Sequence, residues 1–177
     1  MSGVGKAIVL IGFMGAGKSS VGRALARATG WPVYDTDAMI EMHFGSSIAE
    51  IFASRGETEF RLIESETLAA ISDAAAIIVT GGGAVLRAEN VRHMKRIGTI
   101  VYLTADEETL FERTSRRPIR PLLETENPRA TMAALLLKRE PLYRAAADLT
   151  VNTTVLRQGE VADTILQKME TIPRHAV

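Results

Sequence analysis

Residues 7–30 read AIVLIGFMGAGKSSVGRALARATG, and this stretch decides the fold. The unbroken apolar run from Ala7 to Phe13 predicts a strand covered on both faces, as strands of parallel sheets are. KSSVGRALARATG predicts a helix in which Val21, Leu25 and Ala28 share a face and Gly30 marks the stop. Between strand and helix, Gly12 to Ser19 fits G-x-x-x-x-G-K-[ST]. Glycines permit positive φ and let the backbone come close to an anion. Successive N–H groups at the helix N-terminus then point at phosphate oxygens. In such a cradle Lys18 reaches the β- and γ-phosphates and Ser19 ligates Mg2+. The similar GVGK at Gly3 to Lys6 precedes the strand and opens no helix, so it reads as a flexible terminus. The cradle implies a bound nucleoside triphosphate and leaves open a switch, a motor or a kinase.

Outward from this stretch, short apolar runs alternate with helical patterns. PVYDTD is a second strand candidate, with AMIEMHF a helix that Asp37 could cap. SSIAEIFASRG and ETEFRLIESETLAAIS are two helices separated by Gly56, the first capped by Ser46 or Ser47 with Glu50 at the capping-box position. AIIVTGGG is a strand running into glycines, NVRHMKRIG a short helix and TIVYLTA another buried strand. DEETLFERTSRR places acids at the positive end of a helix. RPIRPLLETENPR, with Pro118, Pro121 and Pro128, is a loop. ATMAALLLKREPLYRAAAD is helical, with Pro141 expected to kink or interrupt it. LTVNT and GEVADTILQKMETI close the series as strand and helix. Strands alternating with helices imply an α/β fold, a parallel sheet with helices on both faces.

The 177 residues fit one domain with a full core, and 46% hydrophobic against 24% charged residues is a globular composition. A formal net charge of zero gives no electrostatic footprint for nucleic acid or an anionic membrane. Cysteine is absent, which excludes a disulfide framework and a thiolate metal site and suits a reducing compartment. No apolar run approaches a membrane span, and the N-terminal run leads into a helix pattern unlike a signal peptide. The expected location is the cytoplasm.

Ligands of open parallel sheets sit beyond the carboxyl ends of the strands. Asp35 and Asp37 end the second strand, and strand residues two apart point to one side, so both carboxylates are expected at the mouth beside the cradle. Gly81, Gly82 and Gly83 end the third strand at the same edge and would let a substrate lie on the backbone. Arg61 and Glu64, three apart on a helix, are neighbours. Arg61 and Arg139 together could hold a carboxylate in planar forks. Arg116, Arg117 and Arg120 crowd a loop able to close over the nucleotide. Carboxylates suit hydroxyls and arginines suit an acid, so the expected phosphoryl acceptor is a small polyol acid.

The set GFMGAGKSS, DTD, EIFASRGETEFRLIE, VTGGGAV, RPLL and REPLYR resembles shikimate kinase, in order and spacing, from about Ile8 to Val161. The resemblance implies a P-loop nucleoside monophosphate kinase-like fold, a five-stranded parallel sheet flanked by helices, with a lid at about 115–128 and an acceptor-binding region at about 35–64. It implies a single monomeric domain that transfers the γ-phosphoryl of ATP to the 3-hydroxyl of shikimate. Carried over by motif, Gly15, Ala16, Gly17, Lys18, Ser19 and Ser20 cradle ATP, with Arg113, Arg120 and Arg157 as further ATP contacts. Gln158 competes with Arg157 for the adenine side. Ser19 and Asp35 serve Mg2+. Asp37, Arg61, Gly82, Gly83 and Arg139 bind shikimate, with Phe52 and Phe60 lining its ring and Glu64 supporting Arg61. Lys18, Asp37 and Arg120 carry catalysis, Asp37 either taking the proton or positioning the hydroxyl. An additional proline before Arg120 departs from the family pattern and bears on lid stiffness.

Gluconate kinase is the nearest enzyme alternative, sharing cradle and sheet but not the combination of DTD with GGG. A catalytically silent nucleotide-binding module would be favoured by loss of Lys18, Asp37 or Arg139, and all are present. A GTPase would need an Asn-Lys-x-Asp run and a protein kinase the His-Arg-Asp and Asp-Phe-Gly sets, none of which occurs.

Overall fold

The computed structural model describes residues 7–71, 75–116 and 121–171. Five parallel strands form one sheet in the order β2-β3-β1-β4-β5. They are β1 (Ala7–Ile11), β2 (Val33–Asp35), β3 (Ile77–Val79), β4 (Gly98–Thr104) and β5 (Leu149–Asn152). All residues of β1 are buried, as its unbroken apolar run predicts for a central strand. It pairs with β3 on one side, Val9 opposite Ile78, and with β4 on the other, Val9 opposite Ile100. The helices are α1 (Lys18–Thr29), α2 (Thr36–Phe44), α3 (Ile48–Ala69), α4 (Ala88–Ile97), α5 (Glu107–Ser115), α6 (Pro128–Ala146) and α7 (Gln158–Thr171). The expected α/β class, parallel sheet and strand count hold.

Local signals place most helix ends. Gly30 ends α1 in the left-handed region with φ 72°. Ser47, not Ser46, caps α3, and the reciprocal bonds with Glu50 complete a capping box. Asp106 caps α5, with Glu107 and Glu108 in its first turn. Gly56 breaks α3 at φ 77°, ψ 170°, as the separation into two helices predicts.

Four details differ from the sequence expectation. In α1 the buried stripe is Val21, Gly22, Ala24 and Leu25, while Ala28 is exposed. The helix presses onto β3 so closely that a Cβ on Gly22 would stand 2.7 Å from Val79 Cγ2, and this contact sets which face turns inward. The second strand stops at Asp35, because its side chain accepts from the N–H groups of Asp37 and Ala38 and starts α2 there. Asp37 is therefore neither a strand residue nor a cap; it lies in the first turn of α2. Pro141 does not interrupt α6. The carbonyl it leaves without a helix partner belongs to Leu137, a strongly exposed residue, where water can serve.

The terminal GVGK, and Arg117, Pro118 and Arg120 of the expected lid, lie outside the described residues. Within the expected lid range, Pro121–Leu123 form one 3-10 turn and Asn127 caps α6. Among the described residues no helix is long and apolar enough to cross a membrane.

Candidate active site

The cradle forms where β1 turns into α1. Gly12, Gly15 and Gly17 all take positive φ, at 147°, 82° and 91°. A Cβ on Gly15 would stand 2.7 Å from Thr114 Oγ1 and strike the Leu110 carbonyl, so α5 packs directly against the loop. No side chain caps the N-terminus of α1, which leaves its positive end to an anion. Lys18 Nζ folds back over the loop, donating to the carbonyls of Gly12 at 2.7 Å and Phe13 at 3.1 Å. Ser19 Oγ donates to Asp35 Oδ2 at 3.1 Å. This hydroxyl–carboxylate pair beside the phosphate cradle is a hard-oxygen donor set of the kind Mg2+ uses alongside phosphates and water. The residues present thus fit both the nucleotide and the ion.

A cavity of about 650 Å3 opens against the loop. Gly15, Ala16, Gly17 and Ser20 line it together with Arg27, Arg113, Arg116 and Arg157. Four guanidinium groups around one cleft give a local positive field that a net charge of zero conceals, and it suits a polyphosphate. Arg113 is fixed by Thr153, Nη1 to Oγ1 at 3.1 Å and Nη2 to the carbonyl at 2.8 Å. Thr153 Oγ1 in turn donates to the Ala16 carbonyl at 3.1 Å, tying the loop after β5 to the cradle. Arg157 and Gln158 both line the cavity. Arg116, expected at the base of a lid, also lines it while pairing with Glu112 at the surface. Thr153 and Arg27 were not predicted. Only the polar run after the last strand hinted at Thr153, since its partner lies 137 residues away.

On the other side of the cradle the acceptor candidates converge on the Gly81–Gly83 turn. Gly81 N–H donates to Thr36 Oγ1 at 3.2 Å, holding the turn to the start of α2. A Cβ on Gly81 would lie 2.8 Å from Asp37 Oδ1 and collide with Glu64. A Cβ on Gly83 would collide with the Arg61 guanidinium. Gly81 and Gly83 are glycine because three charged side chains press on their backbone. Asp37 thus reaches the expected mouth, from a helix and not from a strand.

Glu64 is buried and pairs with Arg61 Nη1 at 2.8 Å. Burial pushes its carboxyl above the usual range, and Asp37 adds to this while Arg61 and Arg139 oppose it. Glu64 Oε1 and Arg61 Nε are buried without a hydrogen-bond partner, so the pair has unused capacity at this spot. The Arg61 guanidinium lies over Phe60 at 5.2 Å and Phe52 at 5.7 Å, measured to the ring centroids. Phe60 is almost wholly buried with Ile40 and Ile51, so it acts beneath Arg61; Phe52 is half-buried against the same cluster. Arg139, buried on α6, brings Nη1 to 3.5 Å from the Gly82 carbonyl. Asp37, Arg61, Glu64, Gly82, Gly83 and Arg139 therefore meet at one place, from four separate parts of the chain.

A model of the family described as shikimate kinase matches residues 14–170. The shikimate kinase of Thermodesulfovibrio yellowstonii is 45% identical over 168 residues, 94% of this chain and 96% of the relative. The solved structure of the Acinetobacter baumannii shikimate kinase in complex with shikimate superposes with a TM-score of 0.89 at 39% identity, covering 94% of this chain and 93% of that one. A gluconokinase from Sinorhizobium meliloti matches with a TM-score of 0.53 at 18% identity over 93% of this chain and 91% of that one, which is a likeness of fold alone. With the family model spanning cradle, acceptor side and α7 alike, the chain belongs to the shikimate kinase family.

Proposed function

We propose that this protein transfers the γ-phosphoryl group of ATP to the 3-hydroxyl of shikimate, giving shikimate 3-phosphate and ADP. The observation that carries this is the pairing, along one sheet edge, of a phosphate cradle with a compact cluster of Asp37, Arg61 and Arg139 around a glycine turn. Arg61 and Arg139 grip the acceptor carboxylate, Asp37 holds its hydroxyls, and Gly82 and Gly83 meet the ring through backbone. The region at about 35–64 supplies most of these groups. Lys18 moves from the loop carbonyls to the β- and γ-phosphates. Ser19 and Asp35 would hold Mg2+, which when bound would screen the phosphate charge.

During transfer the acceptor oxygen bonds to the γ-phosphorus while the bond to the β,γ-bridging oxygen breaks. Asp37 orients the hydroxyl and receives its proton. Arg120, from the lid at about 115–128, adds charge at the moving group, and Arg113 and Arg157 hold the nucleotide. Both halves of the site come from one chain, so a monomer completes it, working in the cytoplasm where ATP is available. A coupled ADP-release assay tests the activity. Shikimate should support turnover that gluconate does not; turnover with gluconate and none with shikimate overturns the assignment.

A further inference from the structure

The Tyr143 side chain is wholly buried and stacks on Tyr102, with ring centroids 5.1 Å apart and planes 21° from parallel. Volume alone would be met here by phenylalanine. What the hydroxyl adds is a bond donated to the carbonyl of Gly82 at the centre of the glycine turn, beside a contact with the Arg139 side chain. The same carbonyl lies within 3.5 Å of Arg139 Nη1, one helical turn earlier on α6. Gly82 also faces the cradle, since a Cβ there would stand 3.6 Å from the Gly12 carbonyl and 3.8 Å from the Met14 nitrogen.

The described peptide bonds are all trans. The Gly82 carbonyl and the Gly83 N–H belong to one planar peptide unit and point in opposite directions. Fixing the carbonyl toward α6 therefore fixes the Gly83 N–H away from α6. Among the described residues no backbone carbonyl accepts from that N–H. Glycine gives little intrinsic preference for one peptide orientation, so the turn is held by the Ala84 N–H bond to the Gly81 carbonyl across it and by an external anchor on the central peptide. Tyr143 is that anchor, and its ring is itself held by the sheet through Tyr102 on β4.

We propose that Tyr143 is a positioning residue of the acceptor site: its hydroxyl pins the Gly82 peptide so that the Gly83 N–H stands ready to donate to an acceptor hydroxyl. This rests on shikimate being the acceptor, as proposed above.

The test compares Tyr143→Phe with Tyr102→Phe. Each removes one buried phenol oxygen and keeps the ring pair, but only the first touches the turn. Steady-state kinetics are run with shikimate and with ATP varied separately. Tyr143→Phe should raise the KM for shikimate about three- to tenfold with the KM for ATP unchanged. Tyr102→Phe should leave both unchanged. An unaltered shikimate KM in Tyr143→Phe overturns the proposal. So does an equal rise in both variants, or joint loss of ATP and shikimate affinity, since these mark a loosened core. If wild-type protein shows no shikimate-dependent ADP release, the proposed function fails instead, which separates the two outcomes.

Discussion

Asp35 serves two structures with one carboxylate. Oδ1 caps α2 through the N–H groups of Asp37 and Ala38, and Oδ2 accepts from Ser19 in the cradle. The two roles can be separated because capping needs an acceptor oxygen, whereas Mg2+ needs a charge. Asp35→Ala should lose about 1 kcal/mol of stability, seen as a fall in Tm of about 2–4 °C, and should also demand more Mg2+ for half-maximal rate. Asp35→Asn should restore the Tm but not the Mg2+ requirement. Recovery of both with Asn would show that charge at Asp35 is irrelevant to the ion. The aspartates were visible in DTD, but their division of labour was not. An alternating strand and a capped helix start assign Asp37 to different positions, and only the bonds to Asp35 Oδ1 choose between them.

Among the elements, α3 depends most on one residue. An unbroken helix would set Phe52 and Phe60 roughly 12 Å apart along its axis. The break at Gly56 brings their ring centroids to 4.5 Å, beneath the Arg61 guanidinium. With φ 77° and ψ 170°, Gly56 occupies a region that is essentially glycine's alone. A Cβ there would meet no neighbour, so backbone strain and not crowding is the obstacle. Gly56→Ala should cost about 1–3 kcal/mol and weaken shikimate binding more than ATP binding. Paired calorimetric titrations check this, and an equal loss for both ligands would mean that the break does not serve the acceptor side. This joint was legible because a lone glycine between two amphipathic runs is a local signal. The continuity of α6 through Pro141 was not, because it depends on which face of the helix meets solvent.

At the scale of the whole molecule, the buried Tyr143 phenol makes stability depend on pH on the alkaline side. Burial pushes the Tyr143 phenol above its ordinary value, while the unfolded chain ionises near pH ~10. Below that pH both states hold the proton and the group contributes no pH dependence. Above it the unfolded state loses its proton first, so stability falls as pH rises, by at most about 1.4 kcal/mol per pH unit from this group. Urea midpoints measured from pH 8 upward should decline less steeply in Tyr143→Phe than in wild type. Identical slopes would show that the phenol ionises in the folded protein without penalty. The contacts around it illustrate where sequence reading ends. The cradle, strand alternation, capping box and break at Gly56 were determined by the sequence itself, because each is encoded within a few consecutive residues whose spacing matches a helical or strand period. The resemblance to a family extended this to Arg61, Glu64 and Arg139 as a set. Only the tertiary structure decided that Tyr143 reaches Gly82 across 61 residues and that Thr153 ties Ala16 to Arg113 across 137. Such contacts arise when separate elements pack on a common sheet, and no local periodicity records which side chains will then face each other.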